Sequence, residues 1–264
     1  MSARHLLTAG LLTALVLWAR GAALGAGEAS RPDQPSAEAA AKPAQAPRKE
    51  LPPELRMVLD KLDQANRDLK DVTAKVAYER AIPLLDEKEK ATGSLLFKKP
   101  DRIVLKLGKP REEEVHTNGQ TWWVVSHRDK QVEIYQAAKE GAGNREAAFL
   151  DFGYGGGSEK ILKDYQAELV SKEVREGEDE GAKETLYRLK FTPLAEPGRP
   201  ARYAAIEVVI SDKLWLPHEL VLHESGGEII HTYVLTNIRT NTEVKDEQFD
   251  YEPPRGYTVL RPQE

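Results

Sequence analysis

The 264-residue chain contains no cysteine. That absence excludes a disulfide framework, a thiolate zinc site and a cysteine nucleophile. Common catalytic motifs are missing as well, since neither a GxSxG nucleophile elbow nor an HExxH zinc motif occurs. The glycine-rich stretch GYGGGSEK at 153–160 lacks the GK[ST] ending of a phosphate-binding loop. We therefore find no reaction centre in the sequence and expect no catalytic residue, no cofactor and no metal.

An excess of positive charge is also absent, and the formal net charge of -5 argues against a nucleic-acid partner. Histidine and carboxylate side chains do cluster late in the chain, at His218, His223 and His231 with Glu219 and Glu224. Residues five apart on a strand point to opposite faces, which separates the first two histidines. A metal-dependent enzyme using His223 and His231 stays open as an alternative, and metal analysis of the purified protein would test it.

Long hydrophobic runs are absent except at the start of the chain. There the basic MSARH is followed by LLTAGLLTALVLWA and then by small residues around Ala23. This pattern predicts a cleaved signal peptide over residues 1–26 and hence a periplasmic protein. Residues 27–50 are rich in proline and alanine and predict a disordered tether. The folded domain is expected over 51–264.

The domain opens with a segment that has helical periodicity, PPELRMVLDKLDQANRDLKD. Proline at its start and an acidic first turn are typical of a helix N-terminus. Its apolar residues fall on one stripe: Leu55, Val58, Leu59, Leu62 and Leu69. We predict an amphipathic helix that packs on a sheet.

After this helix the apolar period changes to two. Short runs separated by turn residues follow one another: VTAKVAYER, TGSLLFKK, RIVLKL, QTWWVVSH, QVEIYQ, TLYRLKFTP, YAAIEVVIS, HELVLHE and IIHTYVLTNI. Such a series predicts one antiparallel sheet, strongly curved or closed. Several runs, TWWVVS among them, are apolar on both faces, so both faces must be covered. We expect the helix on one face and a cavity on the other.

The strand rhythm breaks at residues 137–164. One short helix is predicted after Asn144, and a second one with Ser158 as its cap. The glycines between them and the aromatic content of the segment indicate a mobile cover. An ordinary surface excursion between strands is the alternative.

The order of these elements resembles the LolA-like periplasmic lipoprotein carriers. The resemblance covers residues 53–260. After the signal peptide, the amphipathic helix and a first strand comes a G-x-L-x-[aromatic]-x-[basic]-[basic]-P motif, here Gly93 to Pro100. The strand pair around NGQTWWVV and a helical insertion follow. The chain ends in a segment that is similar to the family's F-x-F-x-P-P-x-G-V close, with Asn237, Phe249, Pro253, Pro254, Gly256 and Val259.

The resemblance implies a mainly β (α+β) fold: an incomplete, strongly curved antiparallel β-barrel, with an N-terminal helix and a short helical lid over an apolar cavity. It also implies a non-enzymatic carrier that moves acylated lipoprotein or lipid cargo from an inner-membrane ABC-type exporter to an outer-membrane receptor. We expect it to act as a monomer. In the family, an arginine before the motif's proline latches the lid. Here that position is Lys99, which lacks the planar fork of arginine, so Arg102 is a second candidate for the rim latch.

Alternation and size select the residues expected to line the lipid-binding cavity: Trp122, Val124, Tyr135, Phe149, Leu150, Phe152, Leu189, Val208, Leu220, Ile229 and Leu235. A register error of one residue would move a strand's set to the other face. Two further functions remain open for the same fold, a periplasmic lipid-sensing or regulatory binding module and a carrier of a different lipid.

Overall fold

The computed structural model describes residues 51–136, 152, 154–155, 157–176, 183–194 and 201–262. The predicted signal peptide, the tether and the helix after Asn144 lie outside these ranges, as do Phe149 and Leu150. Within the described ranges, no helix has both the length and the apolar character needed to cross a membrane.

Two α-helices are present in the described part of the chain. Helix α1 (Pro53–Asp68) confirms the predicted amphipathic helix, with Pro53 at its first position and the leucine stripe buried. Helix α2 (Ser158–Asp164) is the second predicted helix of the insertion. The prediction that Ser158 caps α2 was wrong by one position. Gly157 is the N-cap, because the Ser158 hydroxyl bonds the Asp63 carboxylate of α1 instead.

Twelve strands make up a single sheet. Their bounds are β1 Asp71–Ile82, β2 Glu87–Lys98, β3 Arg102–Leu107, β4 Glu113–Thr117, β5 Thr121–Ser126, β6 Gln131–Gln136, β7 Tyr165–Glu176, β8 Lys183–Pro193, β9 Tyr203–Ser211, β10 Pro217–Glu224, β11 Ile230–Thr240 and β12 Thr258–Leu260. Short 3₁₀ turns occupy Pro83–Leu85 and Asp246–Phe249.

The strand order is β12-β6-β5-β4-β3-β2-β1-β11-β10-β9-β8-β7, so β12 and β7 remain as edges and the sheet does not close. Every neighbouring pair is antiparallel except β12 with β6. Neighbouring strands follow one another in the chain except in the β12–β6 pair and in the β1–β11 pair, which joins the two halves of the sheet. This confirms the predicted incomplete antiparallel barrel.

Strand alternation divides the sheet into two faces. We call the face that carries Val76, Leu105 and Leu189 the inner face; α1 packs on it, and its residues form one buried cluster that reaches from Tyr135 on β6 to Leu169 on β7. This cluster extends over eleven of the twelve strands, from β6 to the β7 edge, and agrees with the predicted barrel shape.

The opposite, outer face of β2 to β4 is covered by the end of the chain itself. Val104 there packs against Val244 and Phe249, with Leu96 beside them. We call residues 241–260 the C-terminal segment. The expectation that a cavity covers the second apolar face was therefore wrong for these strands: both faces are apolar because one receives α1 and the other the C-terminal segment.

Candidate functional site

The strand residues predicted to line a cavity lie on one face of the sheet, the inner one. Leu189 on β8 pairs with Val208 on β9, which in turn pairs with Leu220 on β10. In the other half, Trp122 on β5 pairs with Tyr135 on β6. Cross-strand partners share a face, so these residues form a continuous apolar strip.

The remaining strand residues of the set follow the same alternation. Leu235 is the partner of Val76, and Val124 is that of Val115, both on the inner face. Ile229 directly precedes β11 and is half-buried. The structure thus brings the described strand members of the predicted set to the side of the sheet that α1 covers.

Aromatic side chains of the insertion lie on this strip. Phe152 is buried and contacts Phe191 and Tyr165, with ring centroids 5.1 and 4.9 Å apart. Tyr154 is fully buried; its ring centroid lies 5.4 Å from that of Phe97, with the two rings tilted, and its hydroxyl donates a hydrogen bond to the Pro217 carbonyl at 2.7 Å. Burial raises the pKa of the Tyr154 phenol, so it stays a neutral donor. Sequence reasoning missed Tyr154, although its spacing of two from Phe152 was a usable signal.

We call Phe152, Tyr154 and α2 together the cover. One described cavity of about 740 Å³ borders the outward side of α1, near Arg56, Met57 and Asp60. None of the residues that line this cavity belongs to the set predicted to bind lipid. On the inner face the cover's own rings occupy the strip, and any hydrocarbon that binds there has to displace them.

The cover is tied to α1 through one carboxylate. Asp63 accepts from the Ser158 backbone N–H at 2.8 Å and from the Ser158 hydroxyl at 2.5 Å. Ile161 adds a buried apolar contact on the inner side of α2. No sequence pattern pointed to Asp63, because its partner is 95 residues away.

Lys99, one predicted rim latch, contacts α1 rather than α2. Its ammonium donates to the Asn66 carbonyl in the last turn of α1, and its backbone N–H donates to the Lys70 carbonyl at 2.9 Å. Burial lowers the pKa of Lys99, although the nearby Asp68 opposes that shift. A cation at a helix C-terminus meets the negative end of the helix dipole, so Lys99 fixes the end of α1.

Arg102, the other predicted latch, lies on the outer face. Its guanidinium forms an ion pair with Asp246 of the C-terminal segment at 2.6 Å. The hydrogen bonds from Lys98 and Arg102 lower the pKa of Asp246. The described contacts of Arg102 therefore hold the C-terminal segment and not the cover, because residue 102 alternates to the opposite side of β3 from Ile103.

Polar groups accumulate at the end of the inner face that lies away from Lys99. His231 is fully buried on β11, with the Tyr78 hydroxyl 2.8 Å from Nδ1 and Glu224 2.8 Å from Nε2. A carboxylate only accepts, so Nε2–H donates to Glu224 and Nδ1 accepts from Tyr78. His223 instead pairs with Glu207 on the outer face, at 3.3 Å. The two histidines of the metal alternative thus lie on opposite faces.

On the outer face, Glu114 holds a second buried polar cluster. Its carboxylate lies 2.8 Å from His116 Nε2, 3.2 Å from His127 Nε2 and 3.1 Å from Lys106 Nζ. Although burial acts to raise it, hydrogen bonds from His116 and Lys106 lower the pKa of Glu114 to about 2.

Both histidines contact the C-terminal segment. The His116 ring lies 4.5 Å from that of Tyr251, and the Tyr257 hydroxyl is 2.8 Å from His127 Nδ1. The C-terminal segment therefore packs against the two histidines of the Glu114 cluster.

Comparison with known proteins gives consistent relatives. The family model described as outer membrane lipoprotein carrier protein LolA matches residues 83–252, more than half of the chain. The outer-membrane lipoprotein carrier proteins of Legionella pneumophila strains Corby and Paris are each 24% identical over 175 residues, which cover 66% of this chain and 76% of theirs.

Several solved structures have a similar fold. One is an uncharacterized conserved protein from Thermus thermophilus, with a TM-score of 0.48 and 12% sequence identity; the match covers 79% of this chain and 99% of that chain. A LolA superfamily protein from Nitrosomonas europaea has a TM-score of 0.39 and 14% identity, with 74% and 97% covered.

Proposed function

This chain belongs to the LolA family of outer membrane lipoprotein carriers, and on that basis we propose that it binds the acyl chains of lipoproteins, or of a related lipid, on its inner face. We further propose that it carries this cargo through the periplasm toward the outer membrane. The inner-membrane exporter and the outer-membrane receptor that this route needs are partners inferred from the family resemblance.

The observation that carries the proposal is the inner strip and the way it is covered. Large apolar side chains continue across the sheet from Trp122 to Leu189, and a helix and a short cover lie on them. The cover consists of the two aromatic rings of Phe152 and Tyr154 and the short helix α2. An apolar strip under a replaceable cover is suited to holding a hydrocarbon chain.

The expected affinity follows from two opposing terms. Each buried methylene contributes about 0.8 kcal/mol, so about ten methylenes contribute about 8 kcal/mol before costs. Displacing Phe152 and Tyr154 removes their own burial, which is worth about 2 to 3 kcal/mol for each large side chain. The remaining difference of about 2 to 4 kcal/mol is too little to hold a single chain of that length. We therefore infer that two or three acyl chains are buried together, which gives a bound state that can still release its cargo to a more apolar acceptor. No covalent step is needed, so we infer a binding protein rather than an enzyme.

The direct experiment is native mass spectrometry of the protein purified gently from its own periplasm, followed by titration with a synthetic triacylated lipopeptide. We expect a bound acylated species and saturable uptake. Absence of both would refute the carrier proposal and favour a regulatory binding module of the same fold, while copurification of a lipid without lipopeptide uptake would favour another cargo.

Two phenylalanines offer a matched pair of variants. Phe152→Ala removes a ring from the inner face, and Phe249→Ala removes one that is equally buried on the outer face. Both create cavities and cost stability. Only Phe152→Ala is expected to change lipopeptide affinity, in the direction of tighter binding. Equal effects of the two variants on affinity would contradict the assignment of the inner face.

A further inference from the structure

The cover needs an external restraint in order to stay closed. Helix α2 has seven residues, whereas isolated helices shorter than about 12 to 15 residues are marginal in water. Glycine residues, Gly155 and Gly157 among them, precede it and provide no side-chain packing. Its order therefore depends on contacts with the rest of the fold.

Asp63 provides a contact of the required kind. Gly157, the N-cap of α2, has no side chain, so the first turn lacks an internal capping group. The Asp63 carboxylate replaces it from another helix by accepting both the Ser158 N–H and the Ser158 hydroxyl. A negative charge at a helix N-terminus is also favoured by the helix dipole. Ser158 is 8% exposed, so water competes little for these bonds.

We propose that Asp63 is the latch of the cover: its bond to Ser158 keeps α2, and with it Phe152 and Tyr154, on the inner face until cargo displaces them. This inference rests on the proposed function and assigns to Asp63 the role that the family resemblance suggested for Lys99. Lys99 is bound to the end of α1 and does not reach α2 among the described contacts. The latch therefore lies between the two helices and not at the rim of the sheet.

The hydrogen bond from Tyr154 to Pro217 is another polar contact among the described residues of the cover. It joins two neutral groups, whereas the Asp63 bonds involve an ion, and charge-assisted bonds are about twice as strong as neutral ones. We therefore expect Tyr154→Phe to loosen the cover less than Asp63→Ala does. If Tyr154→Phe has the larger effect, the latch is at Pro217 and the proposal fails.

Hydrogen exchange measures the latch without any cargo. In Asp63→Ala, the amides of Ser158, Lys160 and Ile161 should exchange about tenfold faster or more, because the loss of an ionic bond shifts the local opening equilibrium by that order. Asp60→Ala is the matched control, since Asp60 is an exposed carboxylate one turn earlier on the same helix. Unchanged exchange in Asp63→Ala, or equal acceleration in both variants, would overturn the assignment.

Milder variants keep the test valid if Asp63→Ala unfolds. Asp63→Asn retains an acceptor but loses the charge, and Ser158→Ala retains the N–H but loses the hydroxyl. We expect intermediate acceleration of exchange in both, with unchanged exchange in the β1–β2 hairpin. No acceleration in either would overturn the proposal.

Cargo exchange then separates the latch from the function itself. With the triacylated lipopeptide as the probe, Asp63→Ala should bind and release it about tenfold faster than the parent protein. If all variants bind the lipopeptide at parental rates, the latch is wrong and the carrier function stands. If no variant binds it, the carrier function is wrong, and hydrogen exchange alone decides the latch.

Discussion

Replacing Glu114 by glutamine tests how the outer face is held together. The substitution keeps the size of the side chain but removes the charge that His116, His127 and Lys106 share. Glu114 is the second residue of β4 and its side chain is 18% exposed, so water can replace only part of the hydrogen bonds that the substitution removes.

The magnitude follows from the depressed pKa of Glu114. The pKa falls from 4.5 to about 2 on folding, and each pH unit of difference corresponds to about 1.36 kcal/mol. The ionised carboxylate therefore contributes about 3 kcal/mol to the free energy of unfolding at neutral pH, as an order of magnitude. We expect Glu114→Gln to lose a sizeable part of that, roughly 2 to 3 kcal/mol.

The sign of the pH dependence is specific. Because the folded pKa lies below the unfolded one, the contribution is fully present above pH 4.5 and is lost as the pH falls toward 2. Urea denaturation of both proteins at several pH values should show a constant stability gap from pH 7 to about 5. The gap should then narrow steadily through pH 4 and 3.

The control is Glu112→Gln, two residues earlier, where the nearest cation is Lys109 at 3.9 Å. An ion pair of that kind contributes about 0 to 1 kcal/mol. A gap between the parent and Glu114→Gln that did not change with pH would refute the reasoning, since it would show that packing and not charge sets the cost. So would equal effects of the two substitutions.

Three further changes are predicted. Gly93→Ala should destabilise by roughly 3 kcal/mol or more in urea denaturation, because an added Cβ would lie 1.8 Å from the Lys106 carbonyl oxygen; a stable variant would mean that β3 can move away. Lys99→Ala should lower the free energy of unfolding by about 1 kcal/mol and speed up amide exchange at the end of α1, whereas Lys99→Arg should retain the bond to the Asn66 carbonyl. Equal stability and equal exchange in the two variants would contradict a role for the cation at this position. Asp246→Asn should make the C-terminal segment more sensitive to limited proteolysis at neutral pH, because it removes the ion pairs with Lys98 and Arg102. The parent protein should gain the same sensitivity in acid, as its Asp246 carboxyl becomes protonated. Equal cleavage rates of the parent and the variant at neutral pH would show that these ion pairs do not anchor the segment.

The inner face was predictable from sequence because strand geometry has a strict period of two. Trp122, Leu189 and Val208 were selected by alternation and size, and the strand register places them on one face. The helix α1 was predictable for a similar reason, because its leucines repeat at the helical period and are buried as expected.

Strands with many charges were missed for the converse reason. Strand β7 lies at an edge of the sheet, where its residues are half-buried or exposed. Such a strand needs few apolar residues, so its sequence lacks the alternating apolar pattern that identified the predicted strands. Strand β4 begins with two glutamates, which resemble a solvated charge run. Its Glu114 is half-buried and paired because Lys106 and His127 reach it from neighbouring parts of the sheet, and no local sequence pattern indicates these contacts.

The C-terminal segment was unpredictable as a cover because its contacts join residues far apart in the chain. Asp71, at the start of β1, is 3% exposed and accepts from the Thr242 N–H, the Thr242 hydroxyl and the Glu243 N–H. Asp71 and Thr242 are 171 positions apart in the chain, so only the tertiary fold brings them together. The short sequence stretches around Asp71 and Thr242 do not indicate that these two residues pair.

The two faces of the sheet are thus covered by different means, and the difference indicates which one exchanges its contacts. The C-terminal segment covers the outer face and is held at Asp71, at Asp246 and at the Glu114 cluster by ion pairs and hydrogen bonds, which fix its position on the sheet. The cover of the inner face rests mainly on apolar rings, whose contacts with the strip a hydrocarbon chain can replace, and on the ionic contact between Asp63 and Ser158. A fold that places its strong polar anchors on one side and leaves replaceable apolar contacts on the other holds its shape while one surface is vacated. That asymmetry is what a carrier needs, because cargo can then enter and leave the inner face without unfolding the sheet.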